Sequence, residues 1–161
     1  MTFTFESTRD RAKIKRIITH PRLYRHMQDD YAPRPEDFEP EIHPLVSYIL
    51  ARCDGVAIGL FIVSVHSRVL FEIHECFLPE FWGKLAHEAT VQFRDWIWRN
   101  TGCMRMFGQT PAYNRLAVKF AKDAGMVQFG VHPRAFMKHG KLQDLVLLGI
   151  DRPDDRPEEF R

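Results

Sequence analysis

The side chains most able to do chemistry lie just before a glycine turn. Val69 to Leu78 reads as an apolar strand that carries two carboxyls and an imidazole, Glu72, Glu75 and His74. Side chains alternate along a strand, so Glu72 and His74 share one face and Glu75 takes the other; a bulge would shift that assignment. The segment Pro79-Glu80-Phe81-Trp82-Gly83-Lys84-Leu85-Ala86-His87-Glu88-Ala89 then leaves the strand and opens an amphipathic helix. Strand, glycine turn and helix N-terminus together suit a phosphate-bearing cofactor, because unpaired N–H groups converge there and the helix dipole favours negative charge. Thr110-Pro111-Ala112-Tyr113-Asn114-Arg115-Leu116-Ala117 begins a second helix that ends at Gly125-Met126, against which such a cofactor would lie.

The remaining elements must position these groups. Residues 2–6 alternate as a short strand, and Ser7 with Asp10 reads as a capping box for a helix through Ile14, Ile17 and Ile18, stopped or kinked at His20-Pro21. Residues 29–44, acidic and proline-rich, read as a loop with one turn of helix at most. Leu45 to Cys53 and Val56 to Val63 form a hairpin about Asp54-Gly55. Helix 83–100 carries the stripe Leu85, Ala89, Phe93, Trp96 and Ile97, which makes Trp96 core and Trp98 second-layer packing or a partner surface. Cys103 to Gly108 is the next strand. Thr110 as N-cap and Pro111 at the first helical position start the following helix, with the stripe Ala112, Leu116, Ala117, Phe120, Ala121 and Ala124. Val127 to Lys138 and Leu142 to Ile150 make a closing hairpin, and residues 151–161 a mobile tail. Interspersed strands and helices imply one α/β domain over residues 1–150, a mixed sheet with helices on both faces.

Composition excludes several classes. Lys and Arg number 23 against 21 Asp and Glu, a balance that argues against a nucleic-acid binder. No apolar run is long enough to span a membrane, and no secretory leader is visible. Cys53, Cys76 and Cys103 are odd in number, lie in apolar runs and form no CxxC, which predicts free thiols in a cytoplasmic protein. The 8 histidines include no HExxH, so no metal is expected.

The chain resembles the GNAT superfamily, the acetyl-CoA-dependent N-acetyltransferases, over residues 45–150. The likeness is nearest to the branch that acetylates protein N-termini, including those of ribosomal proteins. Pro79, Trp82-Gly83-Lys84 and Glu88-Ala89 match that branch's loop, Asn114 with Ala117 its later helix, and Gly125-Met126 the end of that helix. Gly130, Arg134, Gly140 and Asp144 resemble its closing pattern. The resemblance implies the GNAT-like fold, acetyl-CoA as acyl donor, and a cofactor-binding set of Phe77, Leu78, Trp82, Gly83, Lys84, Leu85, Ala86 and Asn114. It also implies direct attack by an amine acceptor (a protein N-terminus, a lysine or a small amine), with a strand carboxylate as base. Glu72 is favoured because it precedes Ile73, and Glu75 and His74 are the other catalytic candidates.

Three positions depart from the superfamily pattern. Glu80 places a carboxylate where Gln or Arg is usual, Leu85 puts bulk where backbone should approach phosphate, and Ala121 stands where many members have a tyrosine acid. Some phage-encoded proteins resembling the superfamily have similarly altered loops, which implies a host cytoplasm for a phage-encoded chain. They also raise the other reading, a non-catalytic accessory or structural protein on the same fold. The acidic loop 29–44 would line the acceptor side and favour a cationic acceptor.

Overall fold

Alternation and turn chemistry build the first half of the sheet. In the computed structural model, which describes residues 1–153, β1 (Phe3–Thr8), β2 (Val46–Cys53), β3 (Val56–Val65) and β4 (Leu70–Phe77) pair antiparallel in sequence order. Asp54 and Gly55, with φ of 48° and 83°, form the two-residue turn between β2 and β3, the conformation that matches strand twist. A single turn, Pro79–Phe81, leads from β4 into α3 (Lys84–Asn100), which crosses to β5 (Arg105–Pro111). After α4 (Arg115–Asp123), the hairpin of β6 (Val127–Lys138) and β7 (Lys141–Asp151) completes a seven-stranded sheet ordered β1-β2-β3-β4-β5-β7-β6. β4 and β5 are its only parallel neighbours among the described residues, as a helical crossover requires.

Helices cover both faces, as the sequence predicts. α1 (Arg11–Ile18) and α2 (Pro21–Met27) bury Ile14, Ile17, Ile18 and Leu23 against Tyr48, Leu50, Leu60 and Cys76. α3 buries Ala89, Phe93 and Ile97 against Phe61, Phe71, Ile73 and Phe77, with Phe61 and Phe93 stacked at 3.7 Å between ring centres. Phe120 of α4 packs on this second cluster. His87 of α3 lies 3.0 Å from the Asp123 carbonyl, and Arg94 donates to the Ala124 carbonyl at 3.3 Å, so α3 and α4 are joined on one face. All three cysteines are buried and free. Among the described residues no helix is long and apolar enough to cross a membrane.

Several boundaries differ from expectation. Ser7 does not cap α1: it pairs with Ile49 in β1, and Asp10 caps the helix by accepting from Lys13 N at 3.0 Å. Pro21 opens a second helix rather than only ending the first. Thr110 and Pro111 belong to β5, not to a helix start. Ala112 N donates to Asp144 O, so in the alternating ladder the Pro111 nitrogen faces away from β7, where no bond is required of it. Asn114 caps α4 instead, accepting from Ala117 N at 3.2 Å. Leu116, expected on the apolar stripe, is 82% exposed. The two tryptophans exchange their expected places: Trp98, expected as second-layer packing or a partner surface, is buried in the core beneath Arg94, and Trp96, expected in the core, is only partly buried at its edge. The tail expectation fails at Asp151, which ends β7; residues 154–161 lie outside the described residues.

Gly59 sets how closely β3 and β4 approach. A Cβ there would sit 2.4 Å from the Cys76 carbonyl oxygen and 2.7 Å from the Phe77 Cα, both backbone atoms. Gly59→Ala should therefore destabilise the protein by about 2 kcal/mol or more, read as a lower urea midpoint at unchanged slope. A midpoint within error of wild type would show that β4 can shift away.

Candidate active site

β4 and β5 pair only at Leu70–Arg105, Phe71–Met106 and Glu72–Phe107, and then part. Leu78 N donates to Ile58 O and His66 N to Leu70 O, so the even-numbered residues of β4 bond to β3. The backbone groups of Ile73, Glu75 and Phe77 consequently face the opening gap. That gap is a cleft of about 300 Å³ passing through the sheet. On the α1/α2 face it is lined by His26, Met27, Glu72, His74 and Phe136; on the α3/α4 face by Glu75, Asn114, Ala117, Phe120 and Ala121.

The register of β4 is unbroken from Phe71 to Phe77, so no bulge alters the alternation. Glu72 and His74 share a face, and Glu75 lies on the other. Glu72 is buried, and its carboxylate lies 3.1 Å from His74 Nε2, 3.0 Å from Gln109 Nε2 and 2.8 Å from His66 Nε2. The His74 hydrogen bond is the main cause that holds Glu72 at about 2, against the opposing effect of burial, and Gln109 and His66 add to it. Gln109 in turn faces His132 Nδ1 through its carbonyl at 3.2 Å. This network ties β4 to β5 at the point where they separate.

Glu75 has the opposite environment. Enclosure against α3 pushes its carboxyl up to about 7, with Thr90, His74 and His87 opposing. Thr90 gives little relief, for its buried hydroxyl finds no hydrogen-bond partner among the described residues. A space of about 20 Å³ bounded by Glu75, Thr90, Phe93 and Arg94 lies behind it.

The expected cofactor residues separate into backbone and side-chain contributors. Gly83, with φ 91°, precedes α3, whose N-terminus no side chain caps. The first intrahelical bond runs from His87 N to Gly83 O, which leaves the N–H groups of Lys84, Leu85 and Ala86 open to an anion. The Leu85 side chain, expected to put bulk at this loop, is partly buried and packs against the α3-face core. Lys84 is exposed beside Glu88, and Glu80 is exposed on the preceding turn. Phe77 and Leu78 turn their side chains into the two cores. The Phe77 carbonyl accepts from Trp82 Nε1 at 2.7 Å, and Arg22 stacks over the Trp82 ring. Asn114 lines the cleft while capping α4.

Sequence reasoning missed His66, Gly108, Gln109 and His132. Gly108 carried a signal, a glycine inside an apolar strand: a Cβ there would lie 3.2 Å from the Ile73 carbonyl oxygen. His66 and Gln109 meet Glu72, and His132 meets Gln109, only through tertiary pairing. The acidic loop also differs from expectation. Asp30 accepts from His139 N and Gly140 N, Glu39 pairs with Lys15, and Glu36 and Asp37 pair with Arg34. None of them lines the cleft, which removes the support for a cationic acceptor.

Glu75 makes stability depend on pH in a definite direction. Between about pH 4.5 and about 7 the unfolded chain releases this proton while the folded protein keeps it, so stability falls as pH rises and levels off above that window. Glu75→Gln should match wild type below the window and exceed it by up to about 3 kcal/mol above it. Urea unfolding at a series of pH values measures this, and a difference independent of pH would show that Glu75 ionises freely.

The architecture has close counterparts among solved structures. Spermidine N-acetyltransferase from Vibrio cholerae, in complex with CoA and spermine, superposes with a TM-score of 0.75 at 15% identity, over 92% of this chain and 95% of that one. Ribosomal-protein-S5-alanine acetyltransferase from Vibrio fischeri gives 0.75 at 16% identity, over 98% and 97%. A putative phosphinothricin N-acetyltransferase gives 0.74 at 19%, over 95% and 100%. At such identities the likeness establishes the fold, that of the GNAT acetyltransferases. No curated protein sequence matches the chain. A family model described as protein of unknown function (DUF2824) matches residues 22–153, and the chain belongs to that family.

Proposed function

We propose that the protein is an acetyl-CoA-dependent N-acetyltransferase that acts on an amine by direct attack. One observation carries this reading: β4, whose edge faces the gap, runs through the single turn Pro79–Phe81 directly into the uncapped N-terminus of α3. An uncapped helix end, a strand edge where Ile73 and Glu75 turn backbone groups to the gap, and a slot walled by Ala117 and Ala121 suit a pyrophosphate followed by an amide-bearing arm. Acetyl-CoA, when bound, supplies an activated acyl group. The chain's own contribution is to hold the helix N–H groups of residues 84–86 and the Ile73, Glu75 and Phe77 backbone in place. The N-terminal-acetyltransferase branch is favoured by Pro79, Trp82-Gly83-Lys84 and Glu88-Ala89, and a cytoplasmic site by the three free thiols.

A carboxylate held at about 2 is a weak base, so the proton-accepting role expected of Glu72 passes to His74. An ionised carboxylate only accepts hydrogen bonds, so the Nε2 facing Glu72 carries hydrogen and neutral His74 keeps a lone pair on Nδ1. Glu72 then orients the base rather than being it. A non-catalytic protein on the same fold is the second reading, favoured by exposed Glu80 on the phosphate loop and by Trp82 taking the Phe77 carbonyl.

Acetyl-CoA at about 100 times its Kd should raise stability by about 2.7 kcal/mol, a melting shift of about 5–10 °C for a chain of this size. A flat melting curve at saturating acetyl-CoA, with calorimetry silent, would favour the non-catalytic reading. With an acceptor in hand, His74→Ala should lower turnover by about 10²-fold or more with acetyl-CoA affinity kept. The loss should shrink at high pH as the amine deprotonates unaided. A pH–rate profile unchanged by the substitution would remove His74 from the mechanism.

A further inference from the structure

Acyl transfer needs two proton movements, one from the attacking amine and one to the departing sulfur, and α4 offers nothing for the second. Its contributions to the cleft beyond Asn114 are Ala117, Phe120 and Ala121, none of which can donate a proton. Of the titratable residues lining the cleft, Glu72 and His74 lie on the α1/α2 face of β4, and His26 belongs to α2. Glu75 is the one lining carboxyl on the α3/α4 face. A donor anchored at the N-terminus of α3 enters from that same face, because α3 and α4 both pack there. An acceptor beside His74 attacks from the other, so the sulfur departs toward Glu75.

We propose that Glu75 is the catalytic acid that protonates the leaving thiolate. The inference rests on the acetyltransferase reading above. The charged and titratable neighbours leave Glu75 suited to the task. His87 of α3 and His74 of β4 oppose its neutral form only weakly beside the effect of enclosure, which places its proton release at about 7. Arg94, which borders the small cavity behind Glu75, is held instead by the Ala124 carbonyl and Asp95, each at 3.3 Å. The residues of α4, β5 and β7 that border the two cavities around it carry no charge. Glu72 and Glu75, three residues apart on one strand, are thereby driven in opposite directions, one to permanent charge and one to a transferable proton.

The step balances within the site. The amine nitrogen forms a bond to the thioester carbonyl carbon and yields a proton to His74 Nδ1. The carbon–sulfur bond breaks, sulfur keeps the electron pair, and it takes the proton from Glu75. Imidazolium at position 74 then releases a proton to solvent, and the Glu75 carboxylate regains one, with no oxidant or reductant required.

Infrared spectroscopy tests the assignment apart from turnover. At about pH 6 the wild-type protein should show the carbonyl stretch of a protonated carboxyl that is absent in Glu75→Gln. CoA should move this band, and desulfo-CoA, which keeps the nucleotide and arm but lacks the sulfur, should leave it in place. Glu75→Gln should also slow acetyl transfer by about 10- to 10²-fold and abolish the fall in rate above about pH 7. Glu75→Asp, which keeps the acid but withdraws it by one methylene, should retain a carboxyl band and lose at least about 10-fold in rate; it serves as the second variant if the glutamine protein does not fold. Binding of both nucleotides with a band indifferent to sulfur, or a Glu75→Gln enzyme with wild-type rate and pH profile, would overturn the proposal and leave the acetyltransferase reading standing. Failure of either nucleotide to bind would overturn both.

Discussion

The structure depends on where β4 and β5 stop pairing. Three residue pairs join them, and beyond Glu72 and Phe107 each strand presents backbone groups to an open gap. A sheet interior normally satisfies such groups across a ladder, and leaving them unpaired away from water is costly. Here the gap reaches both faces, so solvent or a strand-like ligand can meet them. The break also accounts for a proline in β5, since the Pro111 nitrogen faces the gap where no donor is needed.

Holding the gap open requires its apex to be fixed, and a buried charge does this. Glu72 has donors from three elements: His74 on its own strand, His66 on the turn before β4 and Gln109 on β5. A buried carboxylate is tolerated only when so surrounded. The same bonds that stabilise its charge weaken it as a base, and one of them orients the His74 imidazole. Under the acetyltransferase reading, structural anchoring and the positioning of His74 are one network.

Three residues along the same strand, a second carboxyl has the contrary environment because pleating sends it to the other face. It meets α3 and the mostly apolar lining of a small cavity, and the histidines near it, His74 and His87, act only weakly beside its enclosure. The two faces of β4 thus differ in their surroundings across a single backbone, as the proposed transfer of one proton on each side of the sheet requires.

Much of this was legible in the residues. Asp54-Gly55 and Gly125 marked a turn and a helix end, apolar alternation marked the first four strands, and the placement of Glu72 and His74 against Glu75 followed from the two-residue period of β4. Those are local properties, set by backbone sterics and side-chain direction. What the chain could not disclose locally was pairing at a distance. Thr110 and Pro111 look like a helix start until β7 binds their strand, and the packing of Leu85 on the core shows only in the fold. Gln109 and His66 acquire a role only when β5 and the turn before β4 bring them to one carboxylate, 37 and 6 residues away in sequence. The sequence alone determined the elements and the order of the chemical groups. Tertiary structure decided that one strand carboxyl is held ionised and the other is enclosed, because acidity is set by enclosure and by donors that arrive from other strands.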